Sequence, residues 1–167
     1  MATWSGIRHR LEQEYLAESL RGRIQYFATT YRESHDEEGR ASIRLDGKEV
    51  LKGNYFNYYL KSHLLPKSDP RYSGWEFDFV DEAVLNLGMF DQRTFYSAFE
   101  EFNSQPIDQS LSSQNLIVRI FAILDRRVGK RRLLAMKQQM QTEPKILQFF
   151  YYVRADAEGI PEKNELI

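Results

Sequence analysis

A chain of 167 residues has the size of one domain, and 42% hydrophobic residues with 14% aromatics give it ample side-chain volume for a core, which argues against disorder. It has no cysteine, which excludes disulfides, thiolate nucleophiles and zinc–thiolate sites. The net charge of −1 says nothing of nucleic acid by itself, but its distribution is uneven: residues 76–108 hold eight acidic and one basic side chain, and residues 109–145 hold eight basic and two acidic.

Trp4, Ile7, Leu11 and Tyr15 share one face of a first helix that Thr3 or Ser5 can cap and that ends near Gly22. From residue 23 the period changes to two. Ile24, Tyr26 and Ala28 alternate with Gln25, Phe27 and Thr29, and after a polar loop over 34–39 Ala41, Ile43 and Leu45 alternate again. Asp46-Gly47 supplies the positive φ angles of a two-residue hairpin turn. That turn sets Leu45 opposite Lys48, Arg44 opposite Glu49 and Ile43 opposite Val50, so an antiparallel meander is predicted over 23–52.

Helical spacing resumes at Asn54. Tyr55, Tyr59 and His63 share one face, Phe56, Leu60 and Leu64 the next, and Pro66 ends the run. After a loop over 66–75, Asp78 can cap a short helix holding Phe79, Val80, Ala83, Val84 and Leu87, closed by Gly88. Asp91 caps the next, with Phe90 and Phe95 placed as a hydrophobic staple and Ala98, Phe99 and Phe102 continuing its apolar face. Pro106 to Ser113 reads as a connection, and Ser112 or Ser113 as the cap of a strongly apolar helix with Ile117, Ile120, Phe121, Leu124 and Val128. Arg126 and Arg127 would sit in its last turn and Gly129 at its C′ position. A basic helix follows with Leu133, Met136 and Met140 inward, then a last one begun by Pro144, with Ile146, Phe150, Val153 and Ala157 as its stripe; residues 149–153 also fit a strand.

The class expected is α+β: an N-terminal helix, a three-stranded antiparallel meander, and a C-terminal array of about five helices packed on it. Residues 1–159 would form a single domain and 160–167 a frayed tail. No apolar run reaches the ~20 residues of a membrane span, and the N-terminus lacks the apolar stretch of a signal peptide, so a cytoplasmic protein without membrane contact is expected.

The run Ala122-Ile-Leu-Asp-Arg-Arg-Val-Gly-Lys-Arg-Arg-Leu133, with Trp4-Ser-Gly-Ile-Arg, Leu20-Arg-Gly-Arg-Ile-Gln-Tyr and Arg44-Leu-Asp-Gly-Lys-Glu-Val50, resembles a family of short bacterial proteins that carry an ILDRRVGKRRL-type signature. The resemblance implies a bacterial, cytoplasmic origin and assigns no catalytic residue.

The same run concentrates Arg126, Arg127, Lys130, Arg131 and Arg132 around Gly129, the one place where ordered structure should carry charge of a single sign. With the free N–H groups that open the second helix, it forms a candidate surface for an anionic partner, protein or nucleic acid, in a loose image of a helix-turn-helix. The opposing reading is internal neutralisation by Glu100, Glu101 or Asp125, with Asp125 paired to Lys130 or Arg132 or orienting Arg126.

Weaker candidates fit bland roles better. His35-Asp36-Glu37-Glu38 matches no calcium or zinc spacing, His9 and His63 stand alone, and the acidic cluster Glu76, Asp78, Asp81, Glu82 fixes no carboxylate pair. The aromatic patch Tyr55, Phe56, Tyr58, Tyr59, beside Asn57 and Lys61, could stack bases but has the spacing of a packed helix. Neither a phosphate-binding loop nor a nucleophile elbow occurs. The expected function is a non-catalytic binding or adaptor domain without metal or cofactor, with homodimerisation open. The alternative is a small enzyme with Tyr26, Tyr59 and His63 converging between sheet and helices.

Overall fold

The computed structural model describes residues 3–30, 39–54 and 82–161. The first helix, α1 (Trp4–His9), starts where the Thr3 hydroxyl accepts the Gly6 N–H at 3.2 Å. It widens into a π-helical turn over Arg10–Tyr15 that keeps Ile7 and Leu11 buried and packs Trp4 and Tyr15 at the core's edge. A short 3₁₀ turn, Glu18–Leu20, and Gly22 at φ 80° redirect the chain into the sheet.

The meander is present as β1 (Ile24–Thr30), β2 (Gly39–Leu45) and β3 (Lys48–Asn54), antiparallel in that order. Ile24, Tyr26 and Ala28 are buried, as their alternation requires. Asp46 and Gly47 take φ 51° and 84°, the two positive angles of the predicted turn. Leu45 pairs with Lys48 and Arg44 with Glu49, but Ile43 pairs with Leu51 instead of Val50. A bulge beside Arg44 inserts one residue, so that fully buried Leu51 stands opposite Ile43 while Val50 is left half-buried. Glu49 lies between Arg40 and Arg44. Its hydrogen bond from Arg40 outweighs desolvation and, with Arg44 assisting, holds the carboxyl below its ordinary range.

The outer edge of β3 is met by the segment before the third helix. Lys52 N–H donates to Gly88 O at 3.0 Å and Phe90 N–H to Lys52 O at 3.2 Å. A Cβ on Gly53 would lie 2.2 Å from the Phe90 carbonyl oxygen. Phe90 is itself fully buried, so its backbone cannot easily retreat. Gly53→Ala is therefore expected to lower stability by about 1–3 kcal/mol in urea unfolding; a loss below about 0.5 kcal/mol would show that the edge yields.

Six helices follow among the described residues. In α2 (Glu82–Asn86) the inward residues are Val84 and Leu85, while Leu87, assigned to the apolar face from sequence, is 69% exposed because the helix has already ended. In α3 (Gln92–Ser104) Asp91 and Thr94 form a reciprocal capping box, and Phe90 meets Phe95 edge-on at 6.0 Å between ring centroids, as the staple predicts. The expected connection over 106–113 instead contains a helix, α4 (Ile107–Leu111), whose Ile107 and Leu111 pack together on the core at i, i+4. Asn115, not Ser112 or Ser113, caps α5 (Leu116–Leu124): its side-chain oxygen accepts the Ile117 N–H at 3.0 Å, and the Ser113 hydroxyl accepts the Asn115 N–H. Then come α6 (Lys130–Met140) and α7 (Lys145–Ala157), the latter settling 149–153 as helix. Pro144 is the cap residue of α7, one position before N1.

The core lies between one face of the sheet and α3 and α5, with α7 on the far side of α5. Tyr26, Phe95, Phe102 and Phe121 join sheet to helices by tilted and edge-on ring contacts of 5.6–6.3 Å. The buried face of α7 is Ile146, Leu147, Phe150, Tyr151, Arg154 and Ala155; Ile146 and Phe150 lie on it as predicted, while Val153 and Ala157 are only half-buried. Gly159 at φ 74° closes α7, and Ile160 is 3% exposed with its N–H on Ala155 O, so the packed body includes Ile160. The fold is α+β, and among the described residues no helix is long and apolar enough to cross a membrane.

Candidate functional site

The basic run is built differently from its sequence pattern. Helix α5 stops at Leu124 instead of continuing past Val128, and Asp125 is extended at φ −77°, ψ 135°. The competitor that wins is a short antiparallel pairing with the end of the π-helical turn: Ala17 N–H donates to Leu124 O at 2.9 Å, and Arg126 N–H to Tyr15 O at 2.7 Å. Arg126 and Arg127 thus occupy the turn between helices, not a last helical turn. Gly129 is the N-cap of α6, extended at φ −79°, ψ 168°, and not a left-handed C′ residue.

The five cations divide into two sets. Asp125 is fully buried and accepts the Arg127 N–H at 2.7 Å, and its carboxylate is gripped by Arg127 Nε at 3.0 Å and Nη2 at 2.8 Å. Its partner is therefore Arg127 and not Lys130, Arg132 or Arg126. The Arg127 guanidinium also sits 4.9 Å from the Tyr15 ring centroid and 5.7 Å from that of Phe102. The Asp125 hydrogen bond, opposed by desolvation, raises its pKa further above the ordinary value. Arg132 Nη1 pairs with Asp108 Oδ1 at 2.5 Å, both side chains solvated, a contact worth about 0–1 kcal/mol and easily exchanged. Arg126, Lys130 and Arg131 are exposed, and none has a side-chain hydrogen bond or ion pair among the described residues. Lys130 acts only at longer range, as the weakest influence on Glu158. Burial works to raise the Glu158 carboxyl, but the Ser19 hydroxyl, Arg154 and then Lys130 together lower it.

Arg154 holds the junction from behind, a role that helical periodicity had not disclosed. It is 2% exposed. Nη1 donates to Ile123 O at 2.9 Å and Asp125 O at 2.8 Å, Nη2 to Val128 O at 2.6 Å, and Nε to Glu158 Oε1 at 2.9 Å. It thus satisfies carbonyls left open by the early end of α5 and the turn after it. The available signal was its place at i+4 from Phe150 and i+7 from Leu147, a charge inside an apolar stripe.

Behind Arg127, a space lined by Tyr15, Tyr26, Phe102, Phe121, Leu124 and Asp125 leaves no room for a water molecule. Burial, and after it the charges of Glu12 and Asp125, push the Tyr26 hydroxyl pKa up. Of the residues proposed for an enzymatic pocket only Tyr26 is placed, with its N–H on Glu12 Oε1 at 2.8 Å; Tyr59 and His63 lie outside the described residues. So do His35 to Glu38, the aromatic patch with Asn57 and Lys61, and Glu76, Asp78 and Asp81. His9 is exposed, 3.6 Å from Glu14, and Glu101 accepts from Ser113 and Gln105 instead of meeting the basic run. Among the described residues no three His, Cys, Asp or Glu side chains could hold a metal ion.

No curated protein and no solved structure matches the chain. One family model does, over residues 3–155, and on that match the chain belongs to the SF0329 protein family.

Proposed function

We propose that this protein is a non-catalytic binding or adaptor domain that docks an anionic partner on the turn before α6 and the first turn of that helix. The observation that carries this reading is the division of the cations. Arg127 and Arg154 are consumed by the fold, whereas Arg126, Lys130 and Arg131 are exposed and make no side-chain hydrogen bond or ion pair among the described residues. From Arg126 to Thr142 the sequence has six basic residues and no acidic one. Three exposed cations within six residues of sequence raise the local concentration of a polyanion and steer its approach. The open N–H groups at the start of α6, where Gly129 offers no side-chain cap, act in the same direction. The signature run over 122–133 supports placing this function in a bacterial, cytoplasmic protein.

Fluorescently labelled heparin, titrated with the full chain at several salt concentrations, tests the reading. The triple variant Arg126→Ala, Lys130→Ala, Arg131→Ala is expected to bind at least about tenfold more weakly at low salt. Its thermal unfolding should match the parent's, because the three side chains are solvated. Equal binding by the triple variant, or none by either protein at low salt, removes the proposal.

A further inference from the structure

We infer that the anionic partner is duplex DNA and that the outward stripe of α6 is laid into its major groove; this rests on the docking role just proposed. Helix α6 stands out from the body. Of its eleven residues only Leu133 and Met140 are buried, and α7 is its main neighbour. Eleven residues make a rod about 16 Å long, and a groove about 12 Å wide accepts such a rod.

The face turned away from α7 is Arg131, Leu134, Ala135 and Gln138, at i, i+3, i+4 and i+7, all exposed, with Leu134 at 48%. These side-chain types match what base edges present. An arginine fork fits guanine O6 and N7, a glutamine amide fits adenine N6 and N7, and small or branched apolar groups meet the thymine methyl. Arg126, in the turn before the helix, and Lys130, its first residue, lie where a flanking phosphate would run, and the exchangeable Arg132–Asp108 pair can release a third cation. An acidic protein partner fits less well. No Trp, Tyr or Phe occurs between Arg126 and Thr142, so the stripe has no aromatic anchor of the kind that centres protein interfaces. Helix α5, buried at every residue but Arg119, does not lie across the surface as the first helix of a helix-turn-helix does, so the docking is by a single projecting helix.

The test uses the full chain and three probes: fluorescent duplex DNA of mixed sequence, the same strand unpaired, and a polyglutamate peptide. The duplex is expected to bind tightest, with log affinity falling against log salt at a slope of about −2 to −3, for two or three phosphate contacts. Arg126→Ala should shallow that slope by about 1. A sequence selected from a random duplex pool should lose about tenfold or more in affinity on Gln138→Ala, with the slope unchanged. Polyglutamate binding without duplex binding overturns the DNA assignment and leaves the anion-docking reading intact. Equal binding of single strands, or no sequence preference in the pool, overturns groove reading. Failure of all three probes removes both.

Discussion

Arg154→Met is expected to destabilise the protein by about 3–5 kcal/mol. The methionine fills much of the arginine's volume, so the loss isolates the polar contacts. Two carbonyls, of Ile123 and Val128, lose their side-chain donor in an interior where both residues are at most 1% exposed, while the Asp125 carbonyl keeps the Val128 N–H at 3.1 Å. Each unsatisfied acceptor there costs about 1–3 kcal/mol, partly recovered by rearrangement or entering water. Glu158, which is 24% exposed, can turn to solvent and adds little. Arg154→Lys should recover only part of the loss, since one ammonium cannot span three carbonyls and a carboxylate as the planar fork does. Urea unfolding followed by circular dichroism reads both variants; a loss under about 1 kcal/mol for the methionine variant would mean the turn after α5 is held by Asp125 alone.

Asp125→Ala is expected to destabilise the protein by about 2–4 kcal/mol and to act in two directions at once. It removes the acceptor for the Arg127 backbone N–H and the carboxylate that grips the guanidinium. Arg127 is not trapped, because its side chain is 38% exposed and can swing into water, which limits the loss. Once released, it adds a fourth free cation to Arg126, Lys130 and Arg131. Polyanion affinity at low salt should therefore rise several-fold while stability falls. Asp125→Asn separates the two effects: the amide oxygen still accepts the Arg127 N–H, so the cost drops to about 1–2 kcal/mol while the charge is still lost. Unchanged heparin affinity in a folded Asp125→Asn protein would show that the Tyr15 and Phe102 rings alone keep Arg127 in place.

The elements whose patterns are local were legible in the sequence. The alternation through Ile24, Tyr26 and Ala28, the Asp46-Gly47 turn and the Asp91 cap with its Phe90–Phe95 staple each involve neighbours a few residues apart, and each stands in the structure as read. Some misreadings are local, as with the helix Ile107–Leu111 and the Asn115 cap, but the larger ones fall where a distant partner competes with local preference. Ile117 to Val128 has helical spacing throughout, yet the helix gives way at Asp125 because Tyr15 and Ala17 offer backbone hydrogen bonds there. The bulge that places Leu51 opposite Ile43 serves burial against the helices, which the hairpin by itself does not contain.

The basic run itself was visible, and so was its ambiguity. Composition and periodicity alone determined an α+β chain with its cations gathered around Gly129, because hydrophobic period and charge density are properties of consecutive residues. Which cations remain available was decided only by tertiary structure. Asp125 has one carboxylate and Arg127, two residues on, reaches it first; Arg154, from a different helix, takes the carbonyls behind it; and Asp108 is near enough for Arg132 alone. Pairing depends on distances across the fold, and a free charge is known only when every neighbour in space has been placed.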